Sequence, residues 1–382
     1  MIFINTFGGK MKLLQDIKYP VYEPIFFGNE KKYVMNCLDT SWISSKGEYI
    51  NLFENSFANF INITYATSVC NGTIALDLAL MALGIGPGDE VIVPTLTYVA
   101  SANSIVHVGA TPVFVDSKES HWQMDTSDVI RKITPKTRAI MAVHLYGHPC
   151  DIIELKKICT EYGLFLIEDC AEAIGTYYQD KHVGTFGDIA TFSFYGNKTI
   201  TTGEGGMVVT NDEELYKRSY HIKTQGLVQD AEYWHDTIGY NYRMTNICAA
   251  IGLAQLENIN LIIRKKRNIA ELYKKNIKTL NLPIQFHEEI YPAIHSYWMF
   301  SIMVSKKDDK ENLRFFLKNK GIETRPVFHP IHKMPMYNKR YAKFPVAESI
   351  SERGINLPSS PNLSDNDIST ICNIIHEYYK SN

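Results

Sequence analysis

No two of the seven cysteines stand as C-x-x-C, and their number is odd. Cys37, Cys70, Cys150, Cys159, Cys170, Cys248 and Cys372 are scattered along the chain, which argues against a zinc site and against a disulfide framework. The pattern fits free thiols in a reducing compartment. An excess of charge is also missing, since 39 Lys and Arg against 41 Asp and Glu leave a net charge of −2. The chain as a whole therefore has no pull toward nucleic acid or an anionic membrane, and a phosphate-bearing ligand needs a local site. No apolar run is long enough to span a bilayer. The opening stretch, MIFINTFGGKMKLLQD, has no basic segment leading into a long apolar one and a cleavage site. A cytoplasmic enzyme is the expectation. Internal repeats and low-complexity linkers are absent as well.

What is present is ordinary globular composition, 45% hydrophobic and 21% charged, over 382 residues, a length that suggests two domains. From about Thr73 to Val209, helical patterns alternate with short β-branched runs. IALDLALMAL (74–83) predicts a helix. EVIVP (90–94), ATPVFVD (110–116), RAIMAVHLYG (138–147), GLFLIEDCA (163–171), IATFSFYG (189–196) and GGMVVT (205–210) predict strands. Helices between buried strands imply an α/β fold with a mostly parallel sheet. Near residue 256 the pattern changes to a long charged helix, LENINLIIRKKRNIAELYKKNI. A smaller α+β unit comes next, with strands at YWMFSIMV (297–304) and IETRPVF (322–328), a helix at 311–321, and a last helix capped by Ser364. The expected division is a large domain over 1–260 and a small C-terminal domain over 261–382. Ligands of open α/β sheets sit beyond the carboxyl ends of the strands, which singles out Thr95–Tyr98, His144–Tyr146, Asp169–Glu172 and Tyr195–Lys198.

Asp169 ends an apolar strand, where a carboxylate is costly unless partnered. Lys198 follows another such strand, inside SFYGNKTITTGEGGM. Alone, each has a bland reading, as a helix cap or a solvated lysine. Together they meet the needs of pyridoxal phosphate (PLP), which requires a lysine for its aldehyde and an acid to keep its pyridine nitrogen protonated. The phosphate needs an anchor. CNGTIALDLAL places Gly72 and Thr73 at a helix start, where backbone N–H groups and the helix dipole favour an anion, although Asn71 as a simple cap explains the same residues. Ser193 could add a hydroxyl, and Tyr98 could stack on the ring. GIGPGD does not match a dinucleotide fingerprint and GEGG lacks the Walker residues. His144 with His148, and His329 with His332, lack a third ligand, so no metal site is expected. RKKR (264–267) reads as a solvated helix face.

EDCAEAIG followed by SFYGNKTITTGEGGM resembles the sugar aminotransferases of the DegT/DnrJ/EryC1/StrS type. CNGTIALDLAL, GDEVIVPTLTYVASANSI, ATPVFVD, HLYGHPCD and GYNYRMTNICAAIGLAQLE are similar to the same family, in the family's order, from about Tyr22 to the C-terminus. The resemblance implies the type I PLP-dependent transferase fold, that of aspartate aminotransferase. It also implies transfer of an amino group from L-glutamate to a nucleotide-linked keto-sugar. Lys198 falls where the family bonds the cofactor aldehyde, Asp169 where it meets the pyridine nitrogen, and Gly72, Thr73 and Ser193 where it holds the phosphate. Tyr98 falls where an aromatic ring covers the cofactor. Asn246 matches an asparagine that reaches the neighbouring subunit's phosphate, implying a homodimer with shared active sites. Glu172 departs from the glutamine many members carry near the cofactor's ring hydroxyl. Some members have histidine at the lysine position and remove water; lysine here favours amino transfer. DTSWISSKGEYI, PTLTYVASANSI, HLYGHPCD and TRPVFHPIHKMPMY resemble members that aminate C4 of GDP-4-keto-6-deoxy-mannose for lipopolysaccharide O-antigen. A dTDP- or UDP-linked 4-keto-6-deoxy sugar is the alternative. Arg243, Arg325 and His329 are the candidates for binding sugar diphosphate or donor carboxylate.

Overall fold

A computed structural model describes residues 17–228, 231–338 and 342–381; the opening stretch read for a leader, residues 1–16, lies outside them. The β-branched runs form a seven-stranded sheet. In chain order its strands are β1 (Tyr65–Val69), β2 (Glu90–Pro94), β3 (Thr111–Val115), β4 (Thr137–Val143), β5 (Phe165–Asp169), β6 (Ile189–Ser193) and β7 (Gly206–Thr210). Their spatial order is β1-β7-β6-β5-β4-β2-β3. β3, β2, β4, β5 and β6 run parallel, as continuous buried apolar strands joined through helices should. β7 runs antiparallel to β6, and β1 antiparallel to β7. The expected mostly parallel sheet is therefore mixed at one edge. The cause is local: residues 194–205 form no helix and close on themselves, so the chain turns straight back. That short return is the segment that carries Lys198.

The helix predicted from IALDLALMAL spans Gly72–Ala82 and packs on β6 and β7. The long charged helix is two helices, Asn246–Glu257 and Ile259–Thr279, bent by 63° at Asn258. We propose that bend as the boundary between the two units. Beyond it, β8 (Ile284–Phe286), β9 (Phe300–Val304), β10 (Arg325–Pro326) and β11 (Gly354–Leu357) form an antiparallel sheet in the order β8-β9-β11-β10. Leu313, Leu317, Ile368, Ile371 and Ile375 from the helices Lys307–Asn319 and Asp365–Ser381 share its core. Ser364 opens the last helix as expected, accepting from Asp367 N (3.2 Å) while its own N–H donates to the Asp367 carboxylate (2.9 Å). Among the described residues no single helix is long and apolar enough to cross a membrane.

The N-terminal segment ties the two units together. Lys18 N and Tyr19 N donate to Gly321 O, and Tyr19 bridges to Ile322. Val21 N donates to the Glu323 carboxylate at 2.9 Å, across 302 positions of sequence. The Tyr22 hydroxyl then donates to Lys198 O at 2.7 Å.

Candidate active site

The return between β6 and β7 is closed on itself before it is used. Lys198 N donates to Tyr195 O at 2.9 Å and Thr202 N to Phe194 O at 2.9 Å, with a bridge between Tyr195 and Gly203. Tyr22 holds the Lys198 carbonyl from outside, which leaves the side chain to point at the strand ends. Lys198 Nζ lies 4.0 Å over the Trp298 ring and 3.5 Å from Glu172 Oε1. The indole N–H of Trp298 donates to Asn197 O at 2.7 Å, so the same ring that faces the ammonium also buttresses its loop. Trp298 is placed by a close backbone crossing. Gly147 has a φ of 97°, and a Cβ there would stand 2.5 Å from Ser296 Oγ and 3.1 Å from Trp298 N. Glycine is what the crossing permits.

Asp169, at the end of β5, is buried. Its Oδ2 accepts from the Ser101 hydroxyl at 2.8 Å and its Oδ1 from Ala171 N at 3.1 Å. Burial pushes its pKa above the ordinary carboxylate value, opposed by Ser101, Ala171 N–H, Lys198 and His144. Glu172 is also buried, with Oε2 accepting from Tyr146 N at 2.8 Å. Burial raises its pKa to about 7, against the pull of the Lys198 charge.

This shift makes stability depend on pH. Unfolded, the Glu172 carboxyl loses its proton near 4.5; folded, it does so near 7. Between those values the fold holds a proton the unfolded chain has released, so stability falls as pH rises through the window. Glu172→Gln removes the titration. At about pH 8 the variant is expected to exceed the natural chain by up to about 3 kcal/mol, the two converging toward about pH 5. Thermal melts of the cofactor-free protein across this range check it; a gap that widens toward acid contradicts it.

The helix start is built as a cap. Asn71 Oδ1 accepts from Ile74 N at 2.9 Å, so the simple capping reading holds. The N–H groups of Gly72 and Thr73, in the helix's first turn, have no carbonyl one turn earlier to bond. Ser193, at the end of β6, lies against Gly72: a Cβ on Gly72 would be 2.7 Å from Ser193 Cβ and 2.9 Å from its Oγ. Gly72→Ala therefore has to push helix and strand apart. We expect cofactor affinity to drop roughly tenfold or more with the fold retained. Equilibrium titration with PLP, alongside circular dichroism, tests this, and unchanged affinity refutes the cradle. Tyr98 is 56% exposed in the single chain, its ring 5.7 Å from that of Phe328. Phe328 stacks in turn on Tyr146 at 5.3 Å, and Tyr146 on Trp298 at 6.0 Å. These rings thus form a continuous aromatic wall beside Lys198.

The other expected residues divide. His329 is exposed next to Phe328, and Arg325 is exposed with Nε 3.7 Å from the Glu323 carboxylate. Arg243 bridges to Val69 through its backbone, just before the cradle, and its Nε donates to Asn241 Oδ1 at 3.0 Å. Asn246 is elsewhere. It is buried, with Oδ1 accepting from Tyr49 N at 3.1 Å and Nδ2 donating to Trp42 O at 2.6 Å. Within its own subunit the amide thus ties the 42–49 turn to the start of the helix Asn246–Glu257. Sequence reasoning missed Trp298 and Ser101, and it singled out Tyr146 only as part of the His144–Tyr146 stretch, without a role. Tyr146 lies inside HLYGHPCD, just past β4, and Ser101 inside PTLTYVASANSI, one turn after Tyr98, whereas Trp298 carries no local signal. His144, Glu168 and Cys170 converge as a possible metal cluster. The first two are internally satisfied, because His144 Nδ1 accepts from Cys150 N and Glu168 accepts from Gly184, Phe186 and Gly187 N–H groups.

A lysine facing a buried acid at the carboxyl ends of an α/β sheet, with a helix start beside them, defines a group-transfer enzyme of the aminotransferase class. The chain belongs to the DegT/DnrJ/EryC1/StrS aminotransferase family, which it matches over residues 26–376. It is 60% identical to the GDP-perosamine synthase of Escherichia coli O157:H7 over 364 residues, which cover 95% of this chain and 99% of that protein. Among solved structures it is similar to DesV of S. venezuelae, with 33% identity and a TM-score of 0.86 over 92% of this chain and 94% of that one. It is also similar to Spr1654 of Streptococcus pneumoniae in its PLP form, at 27% identity and a TM-score of 0.90 over 95% and 98% of the two chains.

Proposed function

We propose that the chain aminates C4 of GDP-4-keto-6-deoxy-D-mannose with L-glutamate as donor, giving GDP-perosamine for O-antigen synthesis, with PLP as the amino carrier. The observation that carries the reaction is Lys198 Nζ poised between Trp298 and Glu172 beside buried Asp169. The substrate rests on the near full-length likeness to the E. coli enzyme. The residues fit the cofactor: Asp169 for the ring nitrogen, Gly72, Thr73 and Ser193 for the phosphate, Tyr98 for the ring face and Glu172 near the ring hydroxyl. When bound, PLP supplies the electron sink that lets a bond at the donor Cα break.

Lys198 Nζ is the group that takes the proton from the donor Cα and returns one on the sugar carbon. Trp298 covers one approach to that amine and limits water there. Asp169 keeps the ring nitrogen's proton in place. Arg243, Arg325 and His329 are proposed for the anionic groups of sugar nucleotide and donor. A homodimer belongs to the same reading, supported by Met35, Leu38 and Trp42, all about half exposed or more on one N-terminal stretch. So does a cytoplasmic setting, supported by the seven free cysteines.

Purified protein is to be given glutamate and each of the GDP-, dTDP- and UDP-linked 4-keto-6-deoxy sugars, with products weighed by mass spectrometry. Amination of the GDP sugar in preference is expected. Preference for either other nucleotide, or loss of water instead of gain of nitrogen, overturns the assignment.

A further inference from the structure

Asp169 is backed by a hydroxyl relay that starts on the first turns beyond β2. Ser101 is buried on the helix Ala100–His107, its N–H donating to Tyr98 O. Its hydroxyl donates to Asp169 Oδ2 at 2.8 Å. Behind it, buried Thr97 Oγ1 lies 3.2 Å from Ser101 Oγ. An ionised carboxylate only accepts. With the Ser101 proton committed to Asp169, the Thr97 hydroxyl is left to donate to Ser101, so both dipoles align toward the acid. Such a chain strengthens each member. Asp169 Oδ1 is fixed independently by Ala171 N–H at 3.1 Å, so the two oxygens are pinned from different elements and the carboxylate plane cannot turn.

We infer that Ser101, backed by Thr97, is the positioning residue that aims Asp169 and holds it as the acceptor for the cofactor's ring nitrogen. This rests on the proposed role of Asp169. One short segment then serves the site twice, Tyr98 for the ring face and Ser101 for the acid that would meet the ring nitrogen. The nearby hydroxyl of Ser104 does not stand in for Ser101, since its Oγ is turned back to Ser101 O at 3.1 Å.

The test reads the ring nitrogen itself. The natural chain and variants are loaded with PLP carrying 15N in the ring, and the nitrogen shift is followed against pH by NMR, with the first half-reaction with glutamate timed in parallel. In the natural protein the nitrogen is expected to be protonated at neutral pH. Ser101→Ala shifts its midpoint toward acid by about one pH unit or more and slows the half-reaction roughly tenfold, the loss expected for one hydrogen bond to a charged group. Ser101→Thr, which keeps the hydroxyl, stays close to the natural value, and Thr97→Val moves it less than Ser101→Ala in the same direction. Asp169→Asn is the control. If Asp169→Asn deprotonates the nitrogen while Ser101→Ala and Thr97→Val leave it unchanged, the relay is wrong and the role of Asp169 stands. If Asp169→Asn also leaves it protonated, the reading beneath the relay is wrong.

Discussion

Lys198→Ala is expected to lower kcat by about a thousandfold or more and to erase the visible absorbance of the lysine-bound cofactor. The size comes from the double duty of one atom. In the proposed reaction Nζ is both the attachment point and the proton carrier, and alanine removes it without replacing either role. The scaffold around it should survive, because Tyr22 holds position 198 through the backbone carbonyl and Trp298 holds Asn197 the same way. Glu172 loses its nearby cation and stays neutral over a wider pH range, which a buried acid tolerates. Absorbance spectra and steady-state rates on the GDP-linked sugar check the outcome. A variant that turns over at the natural rate removes Lys198 from the reaction.

Asp169→Asn should cost about a hundredfold or more in the half-reaction with glutamate, yet retain the absorbance of the lysine-bound cofactor. An amide cannot hold a proton against the ring nitrogen, so the electron sink weakens while attachment through Lys198 persists. The two variants thus separate attachment from activation. Stability should move the other way, since burial already raises the Asp169 pKa and a neutral amide of the same shape avoids that cost. Stopped-flow traces and thermal melts on one preparation measure both. A half-reaction as fast as in the natural chain contradicts the assignment.

The fold and the two central residues were legible because they rest on local rules. Buried β-branched runs announce parallel strands, and β2 to β6 fall where those runs lie. Asp169 and Lys198 stood out only as a pair, because together they supply the acid and the amine that PLP needs while each alone has a bland reading. The illegible parts depend on departures from those rules. YWMFSIMV reads as one strand, but β9 starts only at Phe300, after Tyr297 takes a φ of 51°. The residues that leave the strand are the ones that bring Trp298 to the lysine. IETRPVF likewise pairs only at Arg325–Pro326, and the chain beyond Pro326 leaves the sheet to carry Phe328 to the aromatic wall. Asn246 illustrates the reverse. A motif match fixes which residue stands at a helix start, but not which backbone groups its amide will find. Ser101 was hidden by distance, 68 positions from the acid it serves.

The crossing of residues 18–23 against 321–323 and 359–360 has a consequence for biosynthesis. Residues 19–23, made early by the ribosome, find these hydrogen-bond partners only after more than 300 further residues have emerged: Gly321 for Tyr19, Glu323 for Val21 and Ser360 for Glu23. Until then the segment that sets the Tyr22 hydroxyl against the carbonyl of residue 198 lacks these backbone ties. A nascent chain that has completed its large sheet still lacks this brace, and closing so long a loop comes late in folding. The site is finished by the joining of segment 18–23 to residues 321–323 and 359–360, so a product cut short before residue 321 should not present a fully set lysine to the cofactor.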